Sequence, residues 1–179
     1  MDYLKQFVIP FFGLKNGLHH YKYNISDEFF ENFPFSEVIK GKLQVNVILE
    51  KQERMLVFEF EIDGYANVMC DRCSGYYDQP VKGRKKLIVK FGEEKHEETD
   101  EILILPESQH QINISSFIYE YIVLMLPYKR IHPYNKEGNS TCNPEIIRKL
   151  EEHSKDRPSD SRWDVLKNIN LNLNQKNKT

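Results

Sequence analysis

The sequence predicts an α+β fold, an antiparallel β-sheet followed by a helical C-terminal third, with an aromatic-rich segment in front. Three observations predict it. Apolar and polar residues alternate through the central part of the chain, the period of a strand with one buried face. Beyond Asn113 apolar residues recur at spacings of three and four, the period of a helix. The strands come first and the helices afterwards, which disfavours parallel βαβ units.

Residues 1–39 are rich in Phe and Tyr and broken by Pro10, Gly13, Gly17 and Pro34, with one apolar run, Phe7-Val8-Ile9. An edge strand and ordered loops are expected there. Leu43, Val45, Val47 and Leu49, then Leu56, Phe58, Phe60 and Ile62 beyond Lys51-Gln52-Glu53, describe a β-hairpin with one buried face. Gly64 marks a bulge or bend, and Tyr65 to Met69 continue as a strand that delivers Cys70 and Cys73 on a tight turn. Past Pro80, Leu87, Val89 and Phe91 share one strand face, while Lys82, Arg84, Lys86 and Lys90 form a basic stripe on the other. Residues 93–101 hold six acids and no apolar residue, the composition of a solvated loop, and Ile102 to Leu105 make a short last strand.

Asn113 is placed to cap a first helix carrying Ile114, Phe117, Ile118, Tyr121, Ile122 and Met125, which Pro127 ends. Asn143-Pro144 is an N-cap and first-turn pair for a second helix through Ile146, Ile147 and Leu150. Asp160 or Ser161 starts a third with Trp163, Leu166 and Ile169. One domain is expected over residues 1–169, with an Asn-rich disordered tail, 170–179.

Composition narrows the function classes. The 179 residues carry 25 Lys and Arg against 27 Asp and Glu, a formal charge of −2, which excludes a strongly basic nucleic-acid coat and an acidic tail protein. No apolar run approaches the roughly 18 residues of a membrane span, and Met1-Asp2-Tyr3-Leu4-Lys5 lacks a signal-peptide pattern, so a cytoplasmic protein with no membrane partner is expected. Three Cys do not make a disulfide framework.

The chemistry sits in those cysteines. Cys70-Asp71-Arg72-Cys73 is a Cys-x-x-Cys knuckle, half of a tetrahedral metal site, and His132 and Cys142, separated by nine residues in a Pro- and Gly-containing loop, could supply the other half of a closed Cys3His site for one structural zinc ion. Cys142 also precedes a helix N-terminus, which favours a thiolate. Against zinc stand the 58 residues between Cys73 and His132, longer than in zinc fingers. Two other readings stay open: small buried thiols with no ligand, and a dithiol redox pair, although redox Cys-x-x-Cys sites open a helix and Ser74 to Pro80 read as turn and strand.

Gly-x-Ser-x-Gly, Gly-x-x-x-x-Gly-Lys and Gly-x-Gly-x-x-Gly are all missing, so no catalytic residue is assigned and no enzyme is expected. Glu59 and Glu61 share a strand face and read as solvation. The basic stripe of Lys82, Arg84, Lys86 and Lys90, with Lys129 and Arg130, is the candidate RNA-binding set, with Tyr76 and Tyr77 as stacking surfaces. A solvated strand face has the same appearance.

The order of these motifs resembles a family. Cys70-x-x-Cys73 after strands, an apolar helix running into Leu126-Pro127, His132 and Cys142, and finally Arg162-Trp163-Asp164-Val165-Leu166-Lys167 are similar to the YceD family, the large ribosomal RNA subunit accumulation proteins. The resemblance spans residues 40–169. Asp160-Ser161-Arg162 stands where the family usually has Asp-Pro-Arg. The resemblance implies a cytoplasmic, non-enzymatic ribosome-biogenesis factor supporting accumulation or processing of large-subunit (23S) ribosomal RNA, with that RNA, a precursor ribonucleoprotein or a ribosomal protein as partner. The alternative expectation is a protein adaptor that presents Phe11, Phe12, Phe29 and Phe30 and makes no direct RNA contact.

Overall fold

The computed structural model describes residues 3–92, 101–155 and 162. A short 3-10 helix, Tyr3–Phe7, leads into β1 (Val8–Ile9) and β2 (Gly17–Ile25), and α1 (Asp27–Glu31) connects these to β3 (Lys40–Lys51). The long strands β4 (Met55–Met69) and β5 (Tyr76–Phe91) follow, then β6 (Ile102–Leu105), β7 (Ile112–Asn113), α2 (Ser115–Leu124) and α3 (Pro144–Lys155). The main sheet has the order β2-β3-β4-β5-β6, and β1 pairs with β7 in a separate antiparallel ribbon.

The alternation read from the sequence builds the centre of this sheet. Leu49 faces Phe58, Val47 faces Phe60 and Val45 faces Ile62 across the β3–β4 ladder, and all six are buried. Each such side chain contributes about 1.5–3 kcal/mol by leaving water. Val81, Leu87 and Val89 of β5 extend the face, and α2 covers it with Ile118, Tyr121 and Ile122. Tyr121 meets Phe60 edge-on at 5.2 Å. Gly83 makes room for the Met125 side chain at the end of α2, since a Cβ there would lie 3.0 Å from Met125 Sδ.

Four expectations are corrected. The α+β division with a helical last third gives way to a mainly β chain, with 43% of the described residues in strands and 22% in helices. The cause lies at both ends: β2 is a nine-residue strand where loops were expected, and the segment from Met125 to Asn143 stays irregular because it wraps around buried thiols. The sheet is not wholly antiparallel either, because β6 runs parallel to β5, pairing Ile88 with Ile102. Gly64 marks no bulge: the ladder is continuous through Leu43 and Gly64, and a Cβ would fall 2.2 Å from the Lys42 carbonyl oxygen. Finally, Phe11, Phe29 and Phe30 are core residues and only Phe12 is exposed, so the four do not form the expected adaptor surface. Phe29 packs against Phe7 at 5.2 Å, and Phe11 against Phe91 of β5 at 5.4 Å.

The second expected helix is present as α3, with Asn143 Oδ1 accepting from the Glu145 amide at 3.0 Å. The expected third helix, the tail and most of the acidic loop lie outside the described residues. Among the described residues no helix is long and apolar enough to cross a membrane.

Candidate metal centre

The knuckle is a turn between the two longest strands. The Cys70 amide donates to the Gly75 carbonyl at 2.9 Å and the Ser74 amide to the Cys70 carbonyl at 2.9 Å, with Ser74 at a left-handed φ of 56°. The Arg72 amide points at Cys70 Sγ, 3.4 Å away. The turn leads into β5 rather than into a helix, as Ser74 to Pro80 predict.

Asp71, inside the knuckle, brings in the distant loop. Its amide donates to the Arg130 carbonyl at 2.7 Å, and its Oδ2 accepts from the Arg130 amide at 2.7 Å. The Arg130 guanidinium in turn donates to Glu37 Oε2 at 2.7 Å. Thus His132 arrives beside the thiols, its ring 4.9 Å from that of Tyr77. Downstream, Thr141 Oγ1 donates to the Pro133 carbonyl at 2.6 Å, which folds the loop back and presents Cys142 just before α3.

The four predicted ligands therefore meet: Cys70, Cys73 and Cys142 are buried, His132 is half-buried, and their ligand atoms all lie within 4.8 Å of one another. Cys70 Sγ is 3.8 Å from Cys142 Sγ, and His132 Nδ1 is 3.4 Å from Cys73 Sγ and 3.7 Å from Cys142 Sγ. Two sulfurs each about 2.3 Å from a tetrahedral ion would be about 3.8 Å apart, and a sulfur and a nitrogen about 3.6 Å. The donor set and its spacing fit zinc, and four protein ligands leave no open position for substrate.

The electrostatics divide the thiols. Burial acts to raise Cys70, but hydrogen bonds from the Arg72 amide, from His132 and from the Cys73 amide outweigh it and bring the thiol down to about 6. Cys142 moves the other way: burial raises it and the Ser140 hydroxyl only partly offsets this, so the helix that follows does not make it the most acidic thiol.

The expected basic stripe is not a free positive surface. Lys82 pairs with Asp63 at 2.7 Å, Arg84 is in close contact with Glu61, and Lys86 stands opposite Glu59 in the β4–β5 register. Lys90 lies further along the strand, opposite Met55. Arg130 is engaged by Glu37 and Asp71, whereas Lys129 beside it has no ion pair among the described residues. Tyr77 is buried against His132, and of the two tyrosines only Tyr76 is exposed. The clamp formed by Asp71 and Glu37 was invisible in the sequence, since nothing about an acid within a knuckle says that it will bind a backbone amide 59 positions away.

Fold and site together define a mainly β protein whose sheet end is tied to a distant helical segment by a Cys3His cluster able to hold a metal ion. The ligands and their order along the chain fall within one family match. The chain belongs to the family described as Large ribosomal RNA subunit accumulation protein YceD, whose family model matches residues 58–170. That description ties the family to accumulation of the large-subunit ribosomal RNA. The match begins inside β4, so β1 to β3 and α1 lie outside it. No curated protein and no solved structure matches the chain.

Proposed function

We propose that this chain is a non-enzymatic, cytoplasmic ribosome-biogenesis factor that supports accumulation of large-subunit (23S) ribosomal RNA by contacting that RNA or its precursor ribonucleoprotein, with one structural zinc ion held by Cys70, Cys73, His132 and Cys142. The observation that carries the reading is the closed Cys3His cluster within a chain of this family. A closed centre supplies no substrate position, and its physical effect is to fasten the end of β4 and β5 to the loop and helix that follow α2. It gives the chain a rigid surface around the knuckle rather than a reaction site.

The test is ultraviolet crosslinking of the tagged chain in growing cells, with sequencing of the bound RNA. Enrichment of large-subunit ribosomal RNA is the expected result. No enrichment over untagged cells overturns the direct RNA contact.

A further inference from the structure

We infer that the RNA-contacting surface is the end of the sheet around the metal centre, where exposed aromatic rings and unpaired cations recognise unstacked bases of single-stranded RNA. The inference rests on the proposed RNA contact and assigns it to a surface that the charge pattern of the strands does not reveal. Three observations carry it.

First, exposed aromatics gather at this end. Tyr76 opens β5 directly after the knuckle, and its register partner Met69, which immediately precedes Cys70, is likewise exposed. Tyr128 lies fully exposed in the loop that the Asp71–Arg130 hydrogen bonds dock against the knuckle. Phe35 is also fully exposed, two residues before the Glu37 that grips Arg130, and it holds a φ of +84°. A bulky side chain at positive φ is strained, and here the strain delivers a ring to water rather than to the core.

Second, this end carries cations that are not neutralised. Arg72, between the knuckle cysteines, and Lys129, between Tyr128 and Arg130, make no ion pair among the described residues. Lys82 and Arg84, by contrast, are spent on Asp63 and Glu61. Third, the platform is anchored: Tyr128 and Lys129 immediately precede Arg130, whose carbonyl accepts from the Asp71 amide and whose amide donates to the Asp71 carboxylate, and Phe33 stacks on Tyr119 of α2 at 4.2 Å just before Phe35.

Exposed rings beside unpaired Arg and Lys suit nucleobases on a phosphate chain, because every base has a face to stack and the backbone supplies the charge. Duplex RNA keeps its bases stacked internally and offers these rings nothing.

The experiment measures fluorescence anisotropy of a short single-stranded RNA and of the same RNA annealed to its complement, against the metal-loaded full chain. Four proteins are compared: the wild type, Tyr76→Ala/Tyr128→Ala, Arg72→Ala and Lys82→Ala/Arg84→Ala. Phe35→Asn, which tolerates the left-handed backbone, serves as a further variant. We expect the wild type to prefer the single strand, the aromatic pair and Arg72 variants to lose roughly tenfold or more in affinity, and the strand-face variant to bind as the wild type does. All altered side chains are exposed, and urea midpoints check that each protein is folded. Loss in the strand-face variant alone overturns this surface and leaves the RNA reading standing. No binding of either RNA by the wild type, with photocrosslinkers at positions 76 and 128 capturing a protein in cells, overturns both.

Discussion

The Sγ atoms of Cys70 and Cys142 lie 3.8 Å apart although 72 positions separate them in the chain. Two buried sulfurs at that separation, with no disulfide between them, are spaced as neighbours on one tetrahedral ion. The purified chain is therefore expected to carry one zinc per molecule by mass spectrometry under native conditions. Chelation or Cys142→Ser should release it and lower the unfolding temperature by several degrees, because metal bound only in the folded state adds its binding free energy to folding. A metal-free preparation whose unfolding temperature does not respond to zinc would sink the assignment.

The metal-free chain should show a pH-dependent stability with a definite sign. Cys70 is brought from its ordinary 9.0 to about 6, so the folded state holds fewer protons at this thiol than the unfolded chain does between those values. Stability should rise as pH increases from about 6 to 9 and be lost as pH falls through about 6. Cys142, pushed upward by burial, opposes this only above its ordinary 9.0. Urea denaturation across this range, with Cys70→Ser as control, measures the slope; a flat profile contradicts the hydrogen-bonded Cys70 thiolate.

Asp71→Ala removes the acceptor for the Arg130 amide, a 2.7 Å bond to a carboxylate at a partly exposed site. A loss of about 1 kcal/mol in stability is expected, together with roughly tenfold weaker zinc binding, since the loop that presents His132 loses its anchor. Competition with a chromogenic chelator reads the second effect. Unchanged zinc affinity would mean that His132 is positioned by Tyr77 alone.

Gly64→Ala is expected to cost more than about 2 kcal/mol. The position combines a φ of +153° with a Cβ site 2.2 Å from the Lys42 carbonyl oxygen, so both backbone strain and a forced separation of β3 from β4 contribute. Denaturant midpoints for Gly64→Ala and, as a comparison in open space, Gly13→Ala decide it.

Tyr121→Phe should leave stability unchanged or raise it by about 1 kcal/mol. The Tyr121 hydroxyl is buried with no hydrogen-bond partner among the described residues, and burial, followed by Glu120 and Glu101, pushes it up to about 12. Deleting an unpaired buried hydroxyl removes a desolvation penalty while keeping the ring against Phe60. Thermal unfolding of the pair of proteins is the measurement, and marked destabilisation would reveal a partner for that oxygen.

What the sequence determined by itself was whatever short-range spacing encodes. The alternation from Leu43 to Ile62 specified the β3–β4 pair and its buried face, because side chains on a strand have a period of two regardless of context. Asn143-Pro144 specified where α3 begins, and the knuckle spacing together with the chemistry of His132 and Cys142 pointed to all four residues that meet in the Cys3His cluster. The tertiary structure alone decided the rest. Whether Lys82 and Arg84 are free depends on which residues of β4 lie opposite them, and the register places Asp63 and Glu61 there. Whether Phe29 and Phe30 face water depends on what covers α1, and Phe7 and Phe33, from outside that helix, pack on Phe29 and leave both rings buried. The parallel pairing of β6 depends on which stretch of β5 it meets, Ile88 to Phe91, not on the four residues of the strand. In each case the deciding interaction joins residues far apart in sequence, so its energy is set by chain closure and register, which no local period records.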